Sequence, residues 1–133
     1  MDITDQEFEQ LATQAMNELP QEYILQLDNV AIVYADEPTE EQVHRMKVDN
    51  NHLLLGLYEG IPRTHRGGNY SMVLPDKITL FKNPILAVTH TKEALFEQIK
   101  RTLWHEIAHH YGLDHGRIDS LESNKRVNKF SDS

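Results

Sequence analysis

Residues 105 to 115 read His105-Glu106-Ile107-Ala108-His109-His110-Tyr111-Gly112-Leu113-Asp114-His115, an HExxHxxGxxH pattern. Side chains four apart on an α-helix stand one above the other, so the imidazoles of His105 and His109 can close on one ion from a single turn. Glu106 lies beside them, where a carboxylate can hold and deprotonate a metal-bound water. Gly112 follows three residues after the second histidine. Glycine accepts the left-handed conformation that ends a helix, so the chain can turn there and swing a third ligand back to the metal. His115 is in place to be that ligand, with Asp114 beside it and Asp119 further on as alternatives.

The chain holds eight histidines in 133 residues, so chance matches must be weighed. A bare HExxH would arise in roughly a few per cent of chains of this composition, the full pattern in roughly one in ten thousand. The surrounding sequence also supplies the helix that the pattern needs. From Lys92 on, Leu95, Phe96, Ile99, Leu103, Trp104, Ile107, Ala108 and Tyr111 cover a broad arc at helical period, with Thr91 as N-cap and Glu93 in the first turn. Gln98, Thr102, His105, Glu106 and His109 share the remaining polar sector, which points the ligands away from the packing side. His110 projects toward the packed side and reads as a hydrogen-bonded histidine rather than a ligand; Trp104 reads as core.

Three histidine ligands leave a fourth zinc position open, the mark of a catalytic rather than a closed structural site. The chain has no cysteine, which excludes a thiolate cage, a disulfide framework and a cysteine nucleophile. A zinc-activated water with Glu106 as general base then follows from the residues.

The run HEIAHHYG at His105 to Gly112, with LLGLYEG at Leu54 to Gly60 and LPDKITLF at Leu74 to Phe81, resembles the small bacterial zincin-like metallopeptidases. The likeness extends from the segment Leu27 to Pro38 as far as about Leu121. It implies a minimal peptidase domain that binds Zn2+ and hydrolyses peptide bonds in a peptide or protein substrate. It also implies an edge strand beside the metal that holds an extended peptide by main-chain hydrogen bonds, and Leu74 to Phe81 is the candidate edge. In that family the position three after the glycine is often Asp; His115 brings this chain nearer to the metzincin form. A full metzincin is excluded, because no methionine follows His115 to make the methionine turn. Gly112 to His115 also resembles bacterial zinc proteins related to ribosomal RNA maturation, which have histidines at these offsets but lack the glutamate. Glu106 favours the peptidase side.

Composition bounds the rest. The length suits one domain with one core, over residues 1–121, followed by a polar tail at 122–133. The first twenty residues are acidic and polar, so no signal peptide is expected, and no apolar run reaches membrane-spanning length. With no cysteine the reading is a cytoplasmic protein. A net charge of −8 gives no general attraction to nucleic acid, and none is expected as a partner.

Along the chain, Thr4 to Glu7 reads as a capping box that opens a first helix to about Leu19, ended by Pro20. A helical turn at Gln21 to Leu27, a strand at Asn29 to Ala35 and a short helix around Glu40 to Met46 follow. Strands are expected at Leu53 to Tyr58 and at Lys77 to Phe81, the latter with Ile78 and Leu80 on one face, and Pro84 separates it from the motif helix. This order predicts an α+β, zincin-like fold, with a small mixed sheet packed against the helix that carries HExxH. The loop Arg63 to Tyr70 is either a plain connection or a substrate loop in which His65, Arg66 or Tyr70 donates to an oxyanion. His44, His52 and His90 read as surface residues. Beside the zinc peptidase stand two alternatives, a non-catalytic zinc-binding module and a zinc-dependent endoribonuclease-like hydrolase.

Overall fold

The computed structural model of the chain describes residues 2–27, 29–46, 53–60 and 75–112. Thr4 accepts from the Glu7 N–H at 3.1 Å while Glu7 accepts from the Thr4 N–H at 2.9 Å, and this reciprocal cap starts α1 (Asp5–Glu18). The Thr4 N–H that the carboxylate accepts, with the Thr4 hydroxyl beside it, favours the ionised form, so the cap holds the Glu7 pKa below the ordinary glutamate value. A depressed pKa adds stability that is present above the unfolded-state value and is lost as pH falls through the folded-state value. Glu7→Gln is therefore expected to lower the melting temperature at neutral pH, with the difference from wild type closing in acid below the ordinary glutamate range. A gap that persists unchanged at low pH would assign the effect to packing instead.

After α1 the chain makes a short α2 (Gln21–Ile24) directly behind Pro20, then β1 (Val30–Ala35) and α3 (Glu40–Arg45), which has its own Thr39–Gln42 capping box. β2 (Gly56–Glu59) and β3 (Asp76–Phe81) follow, and then α4 (Lys82–Ala87) and α5 (Lys92–His110). The sheet of described strands has the order β1-β3-β2, with β1 parallel to β3 and β2 antiparallel to it. It is the small mixed sheet of an α+β fold, and α5 packs against β2 and β3 while α1 packs against α5.

β3 is the central strand, so the expectation that Leu74 to Phe81 forms the edge is corrected; Leu74 itself lies outside the described residues. The reason is visible in its burial. Thr79 and Phe81 are buried along with Ile78 and Leu80, the continuous pattern of a strand covered on both faces rather than the alternation of a half-exposed one. Pro84 does not separate β3 from the next helix either; it sits at the third position of α4. The first helical N–H groups have no intrahelical acceptor, so a proline there removes no helical hydrogen bond. β2 begins three residues later than the apolar run suggested, although Leu55 already accepts from the Phe81 N–H at 2.9 Å.

One core joins the layers. Phe8, Ala12 and Ala15 of α1 and Leu19 just after it join Leu95, Ile99, Leu103, Ile107 and Ala108 of α5 in one cluster with Ile78 and Leu80 of β3. Trp104 is buried, as its place in the helical arc predicted, and its ring meets Tyr23 edge-on at 5.4 Å. The Tyr111 hydroxyl donates to the Tyr23 carbonyl at 2.6 Å, which fixes the last turn of α5 against α2. Among the described residues no helix is long and apolar enough to cross a membrane.

Candidate metal centre

Thr91 caps α5 by accepting from the Ala94 N–H, and the helix then runs without interruption through His105, Glu106 and His109. Those three side chains therefore lie on consecutive turns of one rigid element, as the spacing required. Burial of the opposite arc in the core leaves them on the side that carries the cavity. His105 and Glu106 line a cavity of about 340 Å³, whose other walls are Leu54, Leu55 and Gly56 before and at the start of β2, and Gln98, Arg101 and Thr102 on α5. The polar sector of α5 is thus partly roofed. Thr102 is buried and Glu106 has only 12% of its side chain exposed, whereas His109 is 43% exposed.

Gly56 makes that roof possible. A Cβ built on it would stand 2.6 Å from Thr102 Cγ2, 3.3 Å from Glu106 Cγ and 3.3 Å from the Thr79 carbonyl oxygen, so only a residue without a side chain lets β2 come this close to α5. Sequence reasoning passed over Gly56, although a single glycine inside an apolar run is the signal for such an approach.

Glu106 Oε1 lies 3.3 Å from Nδ1 of His109. The hydrogen bond to this carboxylate, opposed by partial burial and aided by the negative charge, raises the His109 pKa above the ordinary imidazole value. The next residue, His110, lies about 100° further round the helix, is 19% exposed and meets the sheet rather than the cavity. Its Nδ1 is 3.4 Å from the Tyr58 hydroxyl and 3.4 Å from Asp76 Oδ2, and Tyr58 donates to Asp76 at 2.7 Å. His110 is accordingly the hydrogen-bonded histidine that its position on the helix implied, and the network pins the end of α5 to β2 and β3.

The helix ends at His110, and Gly112 takes φ +73° while its N–H donates to the His109 carbonyl at 3.0 Å. This is the left-handed exit that the motif demanded. Among the described residues a Cβ at Gly112 would meet nothing within 4 Å, so what opposes a side chain there is backbone strain. Gly112→Val is expected to cost about 1–3 kcal/mol, and Gly112→Asn less, because asparagine tolerates this region. Chemical denaturation of the two variants checks it; equal costs would assign the effect to something other than φ.

His44 and His90 are exposed. His115, Asp114 and Asp119, the loop Arg63 to Tyr70, His52 and the tail lie outside the described residues. Among the described residues no group of three or more His, Cys, Asp or Glu side chains is gathered to hold a metal. The donor chemistry present still suits zinc: two imidazoles one turn apart, borderline-soft nitrogen donors, with a carboxylate between them and a helix exit directly after.

The sequence profile of the zincin-like metallopeptidases matches residues 27–125. The chain belongs to this family. The matched span includes β1, the three-stranded sheet, all of α5 and the motif through His115. Its fold is similar to that of a solved conserved hypothetical protein from T. thermophilus, at a TM-score of 0.55 and 22% identity, over 91% of this chain and 99% of the other. No curated protein matches it.

Proposed function

We propose that the chain is a zinc-dependent peptidase, with His105, His109 and His115 as the metal ligands and Glu106 as general base. The observation that carries this reading is the placement of Glu106: its carboxylate reaches a ligand-type imidazole, His109, its Cγ lies under Gly56, and it lines the cavity with His105. Zinc, when bound, supplies a Lewis acid that polarises a carbonyl and makes water easier to deprotonate.

The chain's own residues account for the remaining steps. Glu106 accepts a proton from the attacking water, whose oxygen bonds to the carbonyl carbon of the peptide. As the C–N bond breaks, Glu106 returns that proton to the departing amine nitrogen. The partial burial of Glu106 favours these transfers by limiting competition from bulk water. The substrate strand lies along β2. Leu55 bonds toward β3, and in the antiparallel register Gly56 opposite Leu80 is a non-hydrogen-bonded pair, so the main-chain groups of Gly56 point to the outer edge beside Glu106. An extended peptide added there would meet the base without reliance on its side chains. β2 thus replaces β3 as the edge in this reading.

The test is zinc reconstitution followed by an unbiased peptide library beside structured and single-stranded RNA. About one zinc per chain, a rise in melting temperature on loading and cleavage of peptide but not RNA are expected. His115→Ala should abolish tight zinc binding while Asp114→Ala keeps it; the reverse pattern would move the third ligand to Asp114. RNA cleavage alone would favour the nuclease-like alternative. Bound zinc with neither activity would favour a module without turnover.

A further inference from the structure

β2 meets α5 at Gly56, and again two residues further on. Tyr58 lies on the same face of the strand as Gly56 and sets its ring edge-on against His110, with centroids 5.6 Å apart. His110 is one turn past Glu106 on α5 and shares its face. The two contacts match in spacing, since two residues of strand advance about 6.7 Å and four residues of helix about 6 Å. The first contact is steric, the approach of Gly56 to Thr102 and Glu106. The second is polar and directional. Tyr58 gives its hydroxyl proton to Asp76 at 2.7 Å, so toward His110 the same oxygen can only accept. Nδ1 of His110, 3.4 Å from that hydroxyl and 3.4 Å from Asp76 Oδ2, is then the donor shared between them. Asp76 and His110 keep only 14% and 19% of their side chains exposed, so solvent competes little for these bonds. Asp76 opens β3, the central strand, and so anchors the network in the sheet.

We propose that Tyr58 and Asp76 are positioning residues: acting through His110, they set the register of α5 along β2 and so the place of Glu106 against the strand beside which the substrate lies. The assignment rests on the peptidase reading for the use of that register, and on the two contacts for the register itself. One contact fixes a distance; two, a turn apart, fix how the helix lies along the strand. A displacement of a base by about 1 Å costs up to roughly a hundredfold in rate, while a peptide held by main-chain bonds to β2 still binds.

The test uses the zinc-loaded full chain as wild type, Tyr58→Phe, Asp76→Ala, Asp76→Asn and Thr4→Ala, the last a cap variant that lowers stability from α1 without touching the network. Zinc affinity, melting temperature, and kcat and KM for a peptide selected from the library are read for each. Tyr58→Phe and Asp76→Ala are expected to lower kcat about ten- to a hundredfold, with KM and zinc affinity within about twofold of wild type. Asp76→Asn, whose amide oxygen still accepts from Tyr58, should recover most of the rate, and Thr4→Ala should leave kcat unaltered below its melting temperature. A double-mutant cycle of Tyr58→Phe with Gly56→Ala, read by chemical denaturation, needs no turnover. Release of the polar contact lets β2 draw back from the new methyl, so Gly56→Ala should shift the unfolding constant about fivefold less in Tyr58→Phe than in wild type. A fall confined to kcat, together with that coupling, supports the assignment. An unaltered kcat, a rise in KM or a loss of zinc in its place, an equal fall in Thr4→Ala, or strictly additive stabilities overturn it while leaving the peptidase reading intact. Absence of turnover in wild type overturns the peptidase reading; the cycle then decides the register by itself, coupling supporting it and additivity overturning it.

Discussion

Glu106→Gln is expected to retain the fold and the zinc stoichiometry while losing about a hundred- to ten-thousand-fold in peptide hydrolysis, the range spanned by positioned general bases. Glutamine keeps the volume of glutamate, so the contact under Gly56 survives, where a Cβ would approach Glu106 Cγ to 3.3 Å. Its amide oxygen can still accept from Nδ1 of His109, now 3.3 Å from Oε1. The property removed is basicity. A loss in kcat with little change in KM would mark a group needed in the transition state rather than for binding. Loss of zinc together with activity would show instead that Glu106 holds the histidines in place. Unaltered activity would remove it from the chemistry.

The part of this architecture that the sequence states openly is α5. Its period, its Thr91 cap and the glycine three residues past the second histidine are local features, and local features set φ, ψ and helix phase without knowledge of the remaining chain. The core face of α1 is legible for the same reason. Strand order is different in kind. Whether Leu74 to Phe81 lies at an edge or at the centre depends on pairings with β1 and β2 that are distant in sequence, and its Thr79 resembles an exposed strand residue until both flanks are covered. α4 was missed because Pro84 carries the usual signal of a break, and only its position in the first turn makes it harmless. The cavity wall was unread on similar grounds: Leu54, Leu55 and Arg101 meet only through tertiary packing.

Gly56→Ala is expected to destabilise the protein by about 1–3 kcal/mol, as other overpacking substitutions do. The sign is informative, because alanine in a strand ordinarily improves on glycine by restricting the unfolded chain. Here the new methyl would lie 2.6 Å from Thr102 Cγ2. That methyl cannot simply turn aside, since a β-branched side chain on a helix has few χ1 states and the Thr102 hydroxyl already accepts from Gln98 at 3.0 Å. The helix must then move away from β2, carrying Glu106 with it, so hydrolysis should fall further than stability alone explains. Thr102→Ser removes the obstructing methyl and keeps the hydroxyl that Gln98 uses. In the double variant Gly56→Ala, Thr102→Ser, most of the lost stability and activity should return, giving a coupling of about 1–2 kcal/mol in a double-mutant cycle. The residual deficit reflects the Thr79 carbonyl oxygen and Glu106 Cγ, each 3.3 Å away and untouched by the rescue. Purely additive effects of the two substitutions would contradict the close approach of β2 to α5 and, with it, the proposed placement of Glu106 under a substrate edge.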